Sequence, residues 1–167
     1  MEKKYNETVK LGKPVTVHDK QPFTAEEIQT LWDNVDKIEG VDTVLMLIYT
    51  SCRINELLKE IEDANLEERW IKTGSKTASG KGRIVPIAKK IIDIVKARYN
   101  PVTKRLIEID GKPVTYYEYK RYIFEPVMEQ LGMNHTIHET RHTRSNAAWK
   151  YNRSARRRTH KEIYTRT

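Results

Sequence analysis

Two short apolar stretches, Trp70-Ile71-Lys72-Thr73 and Arg83-Ile84-Val85-Pro86-Ile87, interrupt a chain whose other apolar residues recur mainly at helical spacing. Both stretches are rich in the β-branched and aromatic residues that favour strands. The link between them contains Ser79-Gly80-Lys81-Gly82, and closely spaced glycines favour a turn. The sequence therefore predicts an antiparallel hairpin. We expect an α+β, mostly helical fold built around this hairpin or a three-stranded sheet.

Helical patterns precede the hairpin. Thr24 and Glu27 form the capping-box pattern T-x-x-E. An apolar stripe follows at helical spacing, formed by Ile28, Leu31, Trp32 and Val35. A second helix is predicted over residues 41–51, and its run 44–48 is apolar on all sides, which indicates burial. A third helix is predicted over residues 53–61.

Helical patterns also follow the hairpin. Helices are predicted over residues 89–99 and 116–131, the second of them kinked or broken at Pro126 and ended by Gly132. Between them, residues 106–109 predict one more short strand. A last helix is expected to begin near His138.

Length and composition exclude several classes of protein. The 167 residues suit one compact domain. The longest apolar run, residues 44–49, is far below the roughly 20 residues that span a bilayer. The first residues lack the apolar stretch of a secretory signal. The single cysteine, Cys52, excludes an internal disulfide and a cysteine-based zinc cluster. We therefore expect a cytoplasmic protein without a membrane partner.

The charge is concentrated at one end of the chain. The 31 Lys+Arg and 23 Asp+Glu give a net charge of +8. Residues 141–167 contain nine of those basic residues and one acid, Glu162, so they carry all of the net charge. A neutral body with a basic end favours a polyanion partner such as nucleic acid, although a solvated tail is an equally good interpretation of this segment alone.

Arg53 is a candidate phosphate ligand. It opens a predicted helix in the stretch Tyr49-Thr50-Ser51-Cys52-Arg53-Ile54-Asn55-Glu56-Leu57. A helix N-terminus favours anions, and a guanidinium there adds a bidentate phosphate donor. Taken alone, a surface arginine paired with Glu56 or Glu60 is the simpler interpretation.

His138 and Arg141 form a second candidate pair, in the stretch His138-Glu139-Thr140-Arg141-His142-Thr143. Their spacing of three places both on one face of a helix. An imidazole can move a proton while a guanidinium stabilises the oxyanion at a phosphoryl centre. The H-x-x-R pattern by itself is weak, because most occurrences are surface residues.

Lys76 lies near the predicted tip of the hairpin, in Gly74-Ser75-Lys76-Thr77. A lysine in an exposed turn is usually only solvated. The alternative is that it reaches a backbone phosphate and donates a proton. Lys81, five residues further on, is its competitor for that role.

Together these phrases resemble the tyrosine recombinase (phage integrase) family, in particular the integrases of conjugative transposons and of phages of Gram-positive bacteria. The resemblance covers about residues 21–143. The matching phrases, in chain order, are Phe23-Thr24-Ala25-Glu26-Glu27, Tyr49-Thr50-x-x-Arg53-x-x-Glu56-Leu57, Gly74-Ser75-Lys76-Thr77, Arg83-x-Val85-Pro86-Ile87 and His138-x-x-Arg141-His142-Thr143. One departure is that Ser51-Cys52 stands where members normally have a glycine.

The resemblance implies an enzyme that breaks and rejoins DNA. Arg53 and Arg141 would bind the non-bridging oxygens of the scissile phosphate, and Lys76 would protonate the leaving 5′ oxygen. His138 would assist as acid or base. A tyrosine hydroxyl would attack and form a 3′-phosphotyrosyl link, so neither metal nor ATP nor any other cofactor is expected. His142 would be a buried, hydrogen-bonded structural residue.

The resemblance also implies double-stranded DNA as the partner, with a homo-oligomer possible on that DNA. The residues expected to contact DNA are basic, and they are Arg53, Lys76, Lys81, Arg141, Arg144, Arg156, Arg157 and Arg158.

The C-terminal end departs from the family pattern. After Thr143 there is no apolar stripe of the kind that closing helices need, and no Gly-His box. A frameshift, a deletion or a truncated gene would explain this. Tyr164 is the first candidate for the nucleophile, with His160 as a stand-in for the box histidine, and Tyr151 is the second.

Three segments and three alternative functions follow. Residues 1–20 are expected to be a linker or the remnant of an N-terminal arm, residues 21–143 the catalytic domain, and residues 144–167 a basic, atypical segment. The chain is then either a recombinase catalytic domain or a DNA-binding remnant without a nucleophile. A general basic helical adaptor, in which the motifs are coincidence, is the third alternative.

Overall fold

The computed structural model describes residues 21–73 and 82–143. Two N-terminal helices match the sequence prediction closely. Helix α1 spans Ala25–Asp33, and its N-cap Thr24 forms the predicted reciprocal capping box with Glu27. Helix α2 spans Val41–Thr50 and is buried along almost its whole length, as an element apolar on all sides must be.

The third helix is shorter than predicted. Helix α3 spans Ile54–Leu57, whereas the sequence predicted a helix over residues 53–61. Ile61 is buried as its apolar spacing indicated, but its N–H donates to the carbonyl of Lys104 at 2.7 Å instead of to a helical carbonyl. A tertiary hydrogen bond therefore replaces the last helical turn.

The predicted hairpin is present. Strands β1 (Asp63–Asn65), β2 (Trp70–Thr73) and β3 (Arg83–Pro86) form an antiparallel sheet in the order β1-β2-β3. Ile71 lies opposite Val85, and both are buried. The third strand of this sheet is thus β1, which the sequence analysis did not predict.

Residues 106–109 contribute to a separate pair of strands. Strand β4 is Glu108–Ile109 and pairs with β5, Lys112–Pro113, across the Asp110-Gly111 turn. Leu106 and Ile107 are buried ahead of it. The expectation of a strand is therefore confirmed for its second half only, because the first half fills the core.

Four more α-helices, a 3₁₀ turn and a π-helical segment complete the described part of the chain. Helix α4 (Ile92–Arg98) follows a 3₁₀ turn, Lys89–Ile91. A continuous helical run then comprises α5 (Tyr116–Tyr119), a π-helical segment (Lys120–Phe124) and α6 (Glu125–Gln130). The irregularity lies just before Pro126, whose missing N–H cannot extend a regular helix. Helix α7 spans Ile137–Thr143, as predicted.

One apolar core joins these elements, and α2 lies at its centre, packed against α1, α4 and α7. The first described residues are fixed to α7 as well. The N–H of Gln21 donates to Glu139 at 3.2 Å, and the N–H of Phe23 donates to the hydroxyl of Thr143 at 3.1 Å. No helix among the described residues combines the length and the hydropathy that a membrane span needs.

Gly40 precedes α2 at a point where no other residue fits. Its φ is +90°, and an added Cβ would lie 2.5 Å from Cγ2 of Ile123. We expect Gly40→Ala to lower the free energy of unfolding by about 2–4 kcal/mol, because backbone strain and displacement of Ile123 add. Urea denaturation measures this loss.

Gly132→Ala is the matched control for that prediction. Gly132 has a φ of +64°, but nothing lies within 4 Å of an added Cβ. Its loss is expected to be only about 1 kcal/mol, from backbone strain alone. Equal losses at the two positions would show that the contact with Ile123 relaxes freely.

Candidate phosphate-binding site

Helix α7 carries His138 and Arg141, and a buried carboxylate fixes its start. Oε2 of Glu139 accepts the N–H of Thr136 at 2.6 Å, and Oε1 accepts the N–H of Gln21. His135 lies 3.5 Å from the same carboxylate. Burial opposes ionisation of Glu139, but these hydrogen bonds and the nearby imidazole outweigh it and lower its pKa. The helix start is therefore held by an ionised side chain.

The sequence analysis missed this role of Glu139, although a signal existed. Thr136-Ile137-His138-Glu139 has the same T-x-x-E pattern that was recognised at Thr24 and again marks the start of α5. His135 was also missed. Its ring stacks on Phe23 at 3.9 Å between centroids and lies 3.0 Å from Glu27, so it joins α7 to the start of α1.

His138 and Arg141 lie one turn apart on α7, as their spacing predicted. His138 is exposed, and its ring meets that of His142 edge-on at 4.8 Å between centroids. His142 is half-buried, so the expectation of a buried structural residue is met only in part.

Arg141 has an unusual environment for a cation. Its side chain is half-buried, and its Nη1 is fully shielded from solvent yet has no hydrogen-bond partner among the described residues. Within that same part of the chain, no carboxylate forms an ion pair with it. A buried donor without a partner costs free energy, and such groups concentrate at functional sites. An anion bound beside Arg141 would satisfy this donor.

Arg53 caps the N-terminus of α3. Its backbone N–H donates to Oε2 of Glu56 at 2.8 Å, which is half of a capping box. Its side chain is 62% exposed, and Nη1 lies 3.7 Å from Oε1 of Glu56. The alternative partner named above, Glu60, binds Arg105 instead. Arg53 is therefore only loosely paired, and most of its side chain is exposed to solvent.

Glu56 also binds a residue that the sequence analysis quoted without a role. Arg83, the first residue of β3, donates from Nη2 to Oε2 of Glu56 at 3.1 Å. The R-x-x-E spacing of Arg53 and Glu56 is visible in the sequence. Arg83 lies 27 residues from Glu56 along the chain, so only the folded structure shows that the two are in contact.

The elements that carry the three described candidates are linked through α2. Helix α2 packs against α7, and Ser51-Cys52 leads from the end of α2 directly to Arg53. Convergence of Arg53, His138 and Arg141 on one phosphate stays a prediction. The other candidates lie outside the described residues, and they are Lys76, Lys81, Arg144, Tyr151, Arg156, Arg157, Arg158, His160 and Tyr164.

The described tyrosines differ sharply in their environment. Tyr119 is completely buried, its hydroxyl lies 3.0 Å from that of Thr43, and burial raises its pKa. Tyr49 is buried and accepts a hydrogen bond from Trp32. Tyr117 and Tyr122 are exposed on the α5–α6 run. The buried hydroxyls are structural, because neither can reach an external phosphate.

The described residues contain no group of three or more His, Cys, Asp or Glu side chains that is arranged to hold a metal ion.

Comparisons with known proteins identify the fold. No protein-family model matches the chain, and no curated protein matches it. Solved structures do match. The integrase of transposon Tn1549 in complex with transposon right end DNA aligns with a TM-score of 0.63 and 19% identity, over 77% of this chain and 52% of that chain. The same integrase with circular intermediate DNA gives a TM-score of 0.59 and 18% identity over the same shares.

A second solved structure, also a recombinase, aligns to a similar extent. XerA recombinase aligns with a TM-score of 0.60 and 20% identity, over 74% of this chain and 48% of that chain. The protein thus has the fold of tyrosine recombinase catalytic domains, which confirms the fold that the motifs implied. The present chain spans about half the length of these solved proteins.

Proposed function

We propose that this chain is the catalytic domain of a site-specific DNA recombinase or integrase, acting in the integration or excision of a mobile element. The observation that carries the proposal is the environment of Arg141, whose Nη1 has no hydrogen-bond partner in residues 21–73 and 82–143. It lies one turn from the exposed His138 on a fold shared with DNA-bound integrases. In this proposal a phosphodiester of duplex DNA binds the guanidinium of Arg141, whose side chain is only half-buried.

The proposed chemistry is transfer of a phosphoryl group to a tyrosine. Arg53 and Arg141 bind the two non-bridging oxygens and stabilise the charge of the transition state. The tyrosine oxygen bonds to phosphorus as the bond to the 5′ oxygen breaks. His138 accepts the phenolic proton, and Lys76 donates a proton to the leaving 5′ oxygen. One phosphoester replaces another, so the reverse step rejoins the strand.

Residues 21–143 are proposed to hold the phosphate, and residues 144–167 to supply further phosphate contacts and the nucleophile. Assembly of two or more copies on DNA would bring two strands together for exchange. If the chain lacks a working nucleophile, the same site makes it a DNA-binding remnant of such an integrase, and this is the second candidate function.

A suicide DNA substrate separates the two functions. Its nick lets the short cleaved fragment diffuse away, so a covalent intermediate accumulates. The recombinase yields a DNA adduct that a protease removes. The remnant binds the DNA without an adduct, and a chain that does not bind duplex DNA even at low salt contradicts both.

The basic end is expected to govern the salt dependence of DNA binding. Deleting residues 144–167 should lower the slope of log affinity against log salt by about 0.9 for each phosphate that the protein no longer neutralises. Fluorescence anisotropy at several salt concentrations measures this slope. Replacing Arg156, Arg157 and Arg158 by glutamine in the full chain controls for the change in length. An unchanged slope in both variants means that the end does not bind phosphates.

A further inference from the structure

The carboxylate of Glu56 contacts two guanidinium groups. That of Arg83, which is further away in sequence, lies closer to the carboxylate than that of Arg53. Glu56 is 5% exposed. Its Oε2 lies 3.1 Å from Nη2 of Arg83, whereas its Oε1 lies 3.7 Å from Nη1 of Arg53. Arg83 is also the less exposed of the two, and its Nη2 lies 3.6 Å from the thiol of Cys52.

A buried carboxylate needs a cationic partner, and whichever guanidinium provides it gives up donors and charge. Arg53 adjoins Glu56 on the same helical turn, so Glu56 would bind Arg53 if Arg83 were absent. Arg83 reaches the carboxylate from the start of β3, at the loop end of the paired strands β2 and β3, instead. With Glu56 neutralised in this way, the guanidinium of Arg53 stays in solvent.

We propose that Arg83 is a positioning residue that occupies Glu56 and thereby keeps the guanidinium of Arg53 available to bind a phosphate. The inference rests on the proposed function, in which that phosphate belongs to DNA. The same contact ties the hairpin to the N-terminus of α3, so the two elements approach the phosphate as one unit.

The test measures the mobility of the Arg53 guanidinium as well as the affinity of the protein for DNA. In Arg83→Gln, Glu56 loses its partner and should draw in Arg53, which slows rotation of the Arg53 guanidinium measured by NMR. Affinity for a duplex oligonucleotide should fall about tenfold, because a charge-assisted hydrogen bond to phosphate is weakened. Arg83→Lys keeps a cation at Glu56 and should restore both readouts to near wild type.

A double-variant comparison separates positioning from direct contact. Glutamine at position 56 cannot capture Arg53, so Arg83→Gln should change DNA affinity less than twofold in a Glu56→Gln background. Arg105→Gln is the matched control. Arg105 binds Glu60 and the carbonyl of Leu58, away from Glu56, and its loss should leave the Arg53 signal unchanged.

Each outcome decides the inference. An unchanged Arg53 signal in Arg83→Gln overturns it, and so does an equal loss of affinity in both backgrounds, which would make Arg83 a DNA ligand itself. If Arg83→Gln does not fold, two other measurements decide the inference. One is the effect of Arg83→Gln in the Glu56→Gln background, and the other is the behaviour of Arg83→Lys. A slowed Arg53 in a chain that binds no DNA supports the inference and overturns the proposed function instead.

Discussion

Replacing Arg141 by methionine is expected to abolish the covalent DNA adduct and to weaken DNA binding about 10- to 100-fold, the effect of removing a charge-assisted hydrogen bond to phosphate. The free energy of unfolding should not fall. Methionine fills the space of the half-buried stem, and the shielded Nη1 has no partner to lose among the described residues. Adduct assays, anisotropy and urea denaturation give the three readouts.

Arg98→Met is the contrasting control. Arg98 is half-buried like Arg141, but its guanidinium is bonded to Asp42, at 2.9 Å from Nη2 to Oδ1. Its removal leaves a carboxylate unpaired and should cost about 1–3 kcal/mol of stability, with DNA binding unchanged. If the two variants behave alike, losing stability but binding DNA normally, Arg141 is a structural residue.

Replacing Tyr164 by phenylalanine is expected to remove the adduct completely while DNA binding stays within about twofold of wild type. Only the attacking oxygen is removed, and that oxygen contributes to chemistry rather than to affinity. Tyr164 lies outside the described residues, so the prediction rests on its sequence context, Glu162-Ile163-Tyr164-Thr165-Arg166. Gel electrophoresis under denaturing conditions detects the protein–DNA adduct.

Tyr151→Phe and Tyr119→Phe are the matched controls for the nucleophile. Tyr151 is the second candidate, and an adduct that survives Tyr164→Phe but not Tyr151→Phe moves the nucleophile there. Tyr119 is buried with its hydroxyl on Thr43, so its replacement should affect stability alone. A wild-type chain that forms no adduct favours the DNA-binding remnant.

Local patterns predicted most of the fold. The capping box at Thr24, the all-round apolar run of α2 and the paired strands β2 and β3 depend on neighbouring residues, and all three are confirmed. Helix α3 was predicted too long because a distant partner decides where it ends, and strand β1 was not predicted because its sequence is polar. The N–H of Ile61 is taken by Lys104, and β1 pairs along β2 despite its polar sequence.

For the site too, local patterns were predicted and contacts between distant residues were not. The H-x-x-R spacing placed His138 and Arg141 correctly on one helix, since three residues make about one turn. The link from Glu56 to Arg83 was not predictable, because it depends on how a hairpin packs beside a helix start. The position at which the resemblance predicted a glycine also has a structural explanation. Ser51 ends α2 with a φ of 54°, a conformation that glycine adopts without strain.

The hydrogen bonds that join Gln21 to Glu139 and Phe23 to Thr143 have a consequence for synthesis on the ribosome. They close loops of 118 and 120 residues, so the domain cannot complete its core until α7 has left the exit tunnel. The apolar helix α2 emerges long before its partner α7. At about 5–20 residues per second the delay is roughly 4–20 s. During that interval the apolar surface of α2 is exposed on the nascent chain, and we expect chaperones to bind α2 most strongly.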